Sequence, residues 1–349
     1  NKSNRQDKYP VSEYGVKVAQ EVCAYHQSYP EYSMTPLVKL DNLASALGVS
    51  KIMVKDESKR FGLNAFKVLG GSYCIGKYIA ERLALPEEKF NFTTLVSDEV
   101  KAQLGELTFV TATDGNHGRG VAWTANRLGH KSVVFMPEGT VPERLENIRK
   151  LGSDASITDM SYDDCVRKEK ACADEYGWVI TQDTAWEGYE EIPKWIMQGY
   201  TTIAYEIIQQ IGDDKPTHVF LQAGVGSMAG AIAAFLADYY KEDCPIITIV
   251  EPNKADCIYR TAEANDGKLH FVTEKMDSIM AGLCCGEPCT IAWEIMESYA
   301  KHFVSMPDYV TAKGMRVLGN PLPGDEAIVS GESGASCFVL VVEVLQDKE

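Results

Sequence analysis

The chain has 349 residues, 45% of them hydrophobic, enough to bury one large domain or two closely joined ones. Its 50 acidic residues outnumber 34 basic ones for a formal charge of -16, and no lysine- or arginine-rich run compensates locally, which argues against nucleic acid as a partner. No stretch approaches the length of a bilayer span, and the polar start Asn1-Lys2-Ser3-Asn4-Arg5-Gln6-Asp7-Lys8 leads into no signal-type apolar core, so a cytoplasmic protein with no membrane partner is expected.

The first informative segment is Asn64-Ala65-Phe66-Lys67-Val68-Leu69-Gly70-Gly71-Ser72-Tyr73, which sets Lys67 between apolar residues at the start of a helix running on through Tyr78 and Leu83. An apolar surround disfavours the ammonium form and frees the amine to condense with a carbonyl such as the aldehyde of pyridoxal phosphate. A surface lysine on an amphipathic helix is the ordinary alternative. Lys67 departs from it through its company, two further glycine-marked segments described below. The polar stretch 87–103 reads as a mobile surface loop.

From about Leu107 to Asp183, β-prone runs at 107–111, 132–136, 155–158 and 178–181 alternate with helical spacing over 118–128, 142–151 and 162–176. Pro142 suits a first helical turn, and Gly129, Gly152 and Gly177 stand as stops. Repeated β-α-β predicts a mostly parallel sheet covered on both faces. A second such region runs through a strand at 217–221, a helix at 228–240 and a strand at 246–250. Ligands of open α/β sheets lie beyond the carboxyl ends of strands, where both glycine motifs fall.

In Thr111-Ala112-Thr113-Asp114-Gly115-Asn116-His117-Gly118, turn-forming residues end a strand and expose amides before a helix, a nest suited to a substrate carboxylate. Asn116 is placed to hydrogen-bond a cofactor oxygen, and Asp114 brings a carboxylate where anion loops ordinarily carry Ser or Thr; helix capping by either is the plainer reading. His117 is expected to be oriented by packing and is not assigned as a base. Asp183, closing the fourth strand in Thr181-Gln182-Asp183-Thr184-Ala185-Trp186, is either a carboxylate for a substrate ammonium or a turn cap.

Gly224-Val225-Gly226-Ser227-Met228 opens an alanine-rich helix, so its backbone can approach an anion and its amides can donate to phosphate oxygens. The same letters fit a dinucleotide pattern, with Glu251 where a ribose-binding acid would stand, so the motif alone is ambiguous. Ten cysteines include the cluster Cys284, Cys285 and Cys289, with Cys257 upstream. No Cys-x-x-Cys pair or finger-like histidine accompanies them, so no metal is expected and buried thiols are favoured, a Cys257 disulfide to the cluster staying open.

Together these blocks resemble the fold-type II pyridoxal phosphate enzymes, the tryptophan synthase β and threonine/serine dehydratase superfamily. Phe66-Lys67 matches the Schiff-base motif, Gly115-Asn116-His117-Gly118 the asparagine loop, and residues 224–228 the glycine loop. Within that group the chain is most similar to the diaminopropionate ammonia-lyases. Asp114 replaces the hydroxyl residue usual in the dehydratase loop, and Gln182-Asp183-Thr184-Ala185-Trp186 is similar to that family's second aspartate motif. The resemblance covers roughly residues 9–336.

The resemblance implies an α/β fold of two open, mostly parallel αβα domains: residues 1–76 with 196–349 as the larger, cofactor-binding one, and 77–195 as the smaller, carrying the asparagine loop and Asp183, with the active site in the cleft between them. It implies pyridoxal 5'-phosphate held by Phe66, Lys67, Asn116, Gly224, Val225, Gly226, Ser227, Met228 and Gly282, with Lys67 forming the internal aldimine and relaying protons. Asp114 is implied as a second base on the opposite face of Cα and Asp183 as the holder of the substrate's amino side, with Thr113, Gly115 and His117 also at the substrate. The implied reaction is α,β-elimination of 2,3-diaminopropionate, D and L, to pyruvate and two ammonia, in a homodimer.

Such enzymes usually set a Ser or Thr near the pyridine nitrogen in a glycine-containing segment beyond Glu332-Ser333-Gly334-Ala335, and the sequence reaches Glu349 before one, so either the chain is shortened or Ser333 takes that place. The rival readings are a serine or threonine dehydratase of the same fold, a nicotinamide-dependent dehydrogenase using Gly224 and Glu251, and a catalytically silent scaffold.

Overall fold

The computed structural model describes residues 8–113 and 115–347, except for the side chain of Asp163. Among them the strands are, in chain order, β1 (Leu37–Lys39), β2 (Met53–Lys55), β3 (Thr108–Ala112), β4 (Lys131–Met136), β5 (Asp154–Ile157), β6 (Val179–Ile180), β7 (His218–Gln222), β8 (Ile246–Pro252) and β9 (Ala300–Met306). By internal contacts the chain divides into two compact units, residues 1–16, 34–58 and 203–349 forming one and residues 17–33 and 59–202 the other. Lys67, the loop before Asn116 and Asp183 thus belong to one unit.

That unit holds a four-stranded parallel sheet ordered β5-β4-β3-β6. Parallel neighbours need crossover connections, supplied here by the helices Asn116–Arg127, Pro142–Arg149 and Tyr162–Tyr176. Both faces are covered. Val110, Ala112 and Phe135 pack with Cys165 and Ala173 on one side, and Val134, Met136 and Ala155 with Ala122 and Ile148 on the other. The chain leaves β3 toward β4 and later returns to β6 on β3's opposite edge, so the loops after β3 and β6 meet at a topological switch point.

The other unit holds a three-stranded parallel sheet, β7-β8-β9, and an antiparallel ribbon, β1-β2. In β8, Ile247, Ile249 and Val250 are fully buried, as a strand covered on both faces requires. Val38, Leu40 and Ile52 from the ribbon region share a core with Val250, Met306, Val339 and Val342. The ribbon is tied to the helix Glu191–Ile211 by Lys55, whose Nζ donates to Glu206 Oε2 (2.6 Å), Gln210 Oε1 (2.9 Å) and the Thr35 carbonyl (2.8 Å).

The parallel α/β architecture is the expected one, with two departures. Stretch 87–103 is not a loop: Asn91 and Ser97 accept from Thr94 N and Val100 N and cap the helices Phe92–Leu95 and Asp98–Leu104, which bury Leu95 and Val100. As favoured, the Cys257 thiol is not joined by a disulfide to the cluster. The ribbon and β9 add strands that the expected elements lack. No helix among the described residues is long and apolar enough to cross a membrane.

Candidate active site

Lys67 occupies the N-cap position of the helix Val68–Arg82, whose Leu69, Ile75 and Ile79 are fully buried. A second helix fixes its place. A Cβ on Gly120, in the helix Asn116–Arg127, would stand 2.9 Å from Val68 Cα and 3.1 Å from the Lys67 carbonyl oxygen, so only glycine allows the two backbones this close at the lysine itself.

Lys67 Nζ donates to Asp183 Oδ2 at 2.7 Å, with the aspartate nearly buried and the lysine side chain 24% exposed. The expected apolar surround is corrected here: the amine faces a carboxylate delivered from beyond β6, more than a hundred residues along the chain, a proximity that local composition could not show. Burial alone would push the Asp183 carboxyl up, but the Lys67 charge, then His117, and the lysine hydrogen bond outweigh it and hold the group at about 2. His117 Nδ1 lies 3.8 Å from the same carboxylate oxygen, while Nε2 donates to the Thr181 carbonyl and therefore carries a proton. That bond, in a ring 1% exposed, orients the histidine.

The loop after β3 is held internally. Gly115 N donates to Thr113 Oγ1 at 3.1 Å, and Thr113 N to the Phe135 carbonyl at 3.0 Å. Gly115 takes the N-cap position of the next helix, which leaves Asn116 as its exposed first residue rather than its cap. Phe66 meets Tyr200 edge to face at 5.2 Å. Asp114, expected as a base and substrate ligand, lies outside the described residues.

In the other unit, Gly224, Val225 and Gly226 lead from β7 into the 14-residue helix Ser227–Tyr240, whose second residue is Met228. First-turn amides have no carbonyl within their own helix, and here they gather at the expected anion position. Gly226 is left-handed (φ 96°), and a Cβ on it would strike Met296 Cε at 2.6 Å. A Cβ on Gly224 would meet Cys285 Sγ at 3.0 Å and the Gly282 carbonyl at 3.3 Å, and one on Gly282 would stand 3.1 Å from Ser333 Oγ. Gly224, Gly282 and Ser333 thus adjoin one another, and the Cys289 amide donates to the Val225 carbonyl (2.8 Å) to pin the loop. A cradle that side chains would fill, at a helix start, fits a phosphate ester.

The dinucleotide alternative loses its acid. Both Glu251 oxygens accept backbone amides, Ile258 N at 3.0 Å and Tyr259 N at 2.6 Å, at the start of the helix Cys257–Ala264. Burial pushes this carboxyl up to about 8 despite those amides. Sequence reasoning also passed over Glu169, a buried acid on the same helix stripe as Cys165 and Ala173. Its signal was a carboxylate at helical spacing among residues destined for the core.

The family model described as pyridoxal-phosphate dependent enzyme matches residues 29–348. The chain is 49% identical to a diaminopropionate ammonia-lyase of Salmonella typhimurium over 334 residues, 95% of this chain and 83% of that protein. It is similar to the crystal structure of holo diaminopropionate ammonia lyase from Escherichia coli, with TM-score 0.92 and 46% identity over 100% of this chain and 86% of that one. The same enzyme in complex with an aminoacrylate-PLP azomethine reaction intermediate matches with TM-score 0.89 and 47% identity over 99% and 85% of the two chains. The cofactor this architecture serves is pyridoxal phosphate. The chain belongs to the pyridoxal-phosphate dependent enzymes and, among them, to the diaminopropionate ammonia-lyases.

Proposed function

We propose that the chain eliminates ammonia from 2,3-diaminopropionate, of either configuration, so that one molecule of substrate and one of water give pyruvate and two ammonia. The observation that carries this reading is the Lys67–Asp183 pair, 2.7 Å long and accessible, in a chain with the family membership given above. When bound, pyridoxal phosphate supplies the carbonyl that takes the substrate amine and the electron sink that makes the Cα proton acidic.

The chain's own residues do the rest. Lys67 anchors the cofactor and moves a proton at Cα, and Asp183, its carboxyl held low beside Lys67, holds the ammonium of the lysine or of the substrate. His117, its Nε2 proton committed to the Thr181 carbonyl, stands with Nδ1 3.8 Å from the Asp183 carboxylate. Asp114 is assigned as the base for the other face of Cα, and Thr113, Gly115 and the amides beside them as ligands of the substrate carboxylate. Phe66 and Asn116 are assigned to the cofactor ring, and Gly224, Val225, Gly226, Ser227, Met228 and Gly282 to its phosphate and surroundings, with Ser333 beside Gly282.

We assign residues 1–76 with 196–349 as the cofactor domain and 77–195 as the smaller domain, a homodimer as the working assembly and the cytoplasm as its location. The test is pyruvate formation from DL-2,3-diaminopropionate, coupled to NADH oxidation by lactate dehydrogenase, against DL-serine and with Lys67→Ala as control. Turnover of diaminopropionate over serine, lost in the variant, supports the reading; a preference for serine would replace it with the dehydratase.

A further inference from the structure

Glu169 lies 1% exposed in the helix Tyr162–Tyr176, facing β3, and the reaction as assigned above makes no use of it. Its Oε2 accepts the Ala112 amide at 3.2 Å. Its Oε1 is buried without a hydrogen-bond partner among the described residues, and Glu169 forms no ion pair there. The site of this contact gives it meaning. Backbone pairing of β3 with β6 ends where Thr181 N donates to the Val110 carbonyl at 2.9 Å. The Ala112 amide is then shared by two side chains, Glu169 and Gln182, whose Oε1 is 3.3 Å away and also accepts from Thr111 Oγ1 at 2.9 Å. Gln182 is itself fixed, its Nε2 donating to the Tyr162 hydroxyl (2.6 Å) and its backbone amide to the Tyr189 hydroxyl (2.8 Å). Ala112 stands three residues before the asparagine loop, and Gln182 directly precedes Asp183.

We propose that Glu169 is a positioning residue for the reaction site, clamping the carboxyl end of β3 beside that of β6 where the backbone ladder stops, and so setting Asp183 against the loop that opens the helix Asn116–Arg127. This rests on the proposed elimination for its functional consequence, though not for its structural one. Glu169 performs the clamp as a neutral acid. A charged carboxylate with one unpartnered buried oxygen is far more costly than a protonated one. Burial pushes its carboxyl well up, the Ala112 amide opposes weakly, and the Asp183 charge pushes it further up. The titratable groups that interact with it are Asp183 and Tyr189 from beyond β6 and Cys165 from its own helix, none of them a cation. Two carboxyls close together are thereby held in opposite states, Asp183 ionised by Lys67 and Glu169 neutral.

Two readouts test this on the holoenzyme. Glu169→Gln keeps a neutral acceptor of the same shape and is expected to hold kcat within about twofold, whereas Glu169→Ala, folded by circular dichroism, is expected to lower kcat about 10- to 100-fold with KM little changed. Independently of turnover and of whether the alanine variant folds, the infrared difference spectrum of wild type minus Glu169→Gln at neutral pH is expected to show the C=O stretch of a protonated carboxylic acid. A carboxylate band in its place, a Gln variant as impaired as the Ala variant, or an Ala variant with wild-type kcat would each overturn the proposal. Wild-type protein with the acid band but no turnover of diaminopropionate would instead sink the assigned reaction and leave the neutral clamp standing.

Discussion

Two lysine–carboxylate pairs of nearly equal length, one in each unit, serve different ends. Lys55 reaches Glu206 at 2.6 Å with side chains 7% and 0% exposed, and its three donors are met by Glu206, Gln210 and the Thr35 carbonyl. Lys67 reaches Asp183 at 2.7 Å with 24% of its side chain accessible, at the mouth of a helix rather than inside a packed layer. A saturated, buried ammonium cannot give up its proton or its place without exposing three acceptors. An accessible one can exchange its partner for a substrate or cofactor. The pair's surroundings, not its length, separate a structural staple at Lys55 from the chemical site proposed at Lys67.

The comparison is broken most strongly at Lys67. Lys67→Ala is expected to lower turnover at least about a thousandfold with far-UV circular dichroism unchanged, read in the coupled pyruvate assay. Asp183→Asn, which keeps shape and removes charge, is expected to cost about a hundredfold in kcat/KM in the same assay. Lys55→Met removes the ammonium that faces the buried Glu206 carboxylate, so denaturant titration is expected to show a loss of about 3–5 kcal/mol while kcat per folded molecule stays at the wild-type value. Gly226→Ala places a Cβ against Met296 in a left-handed conformation and is expected to weaken cofactor retention about tenfold, measured by dialysis and visible absorbance.

The smallest effects concern pH and have opposite signs. Asp183, held at about 2, adds stability that is fully present above its ordinary value near about 3.9 and lost as pH falls through about 2. Glu251, raised to about 8, adds stability present below its ordinary value near about 4.3 and lost as pH rises through about 8. Thermal melts are therefore expected to flatten below pH 4 in Asp183→Asn and between roughly pH 5 and 8 in Glu251→Gln. Unchanged slopes would remove the assigned ionisation states.

The parallel sheets were legible because strand runs, helical spacing and the glycine stops at 129, 152 and 177 agreed with one another. The glycine turn was legible for a related reason, since Gly226 holds a left-handed backbone conformation at that point. What stayed hidden depends on distant partners. β9 carries exposed Lys301 and His302 and earns its place by pairing with β8, and β1-β2 are three residues each. Helices at 92–95 and 98–104 follow from single capping side chains in a polar stretch. The Lys67–Asp183 pair spans 116 residues, and no local pattern in either segment announces the other.

Borohydride reduction of the purified protein with pyridoxal phosphate, followed by proteolysis and mass spectrometry, tests the central claim that Lys67 is the reactive lysine. Label on Lys67, absent from Lys55, is the predicted result. Label on Lys55 or another lysine with Lys67 unmodified would contradict the account.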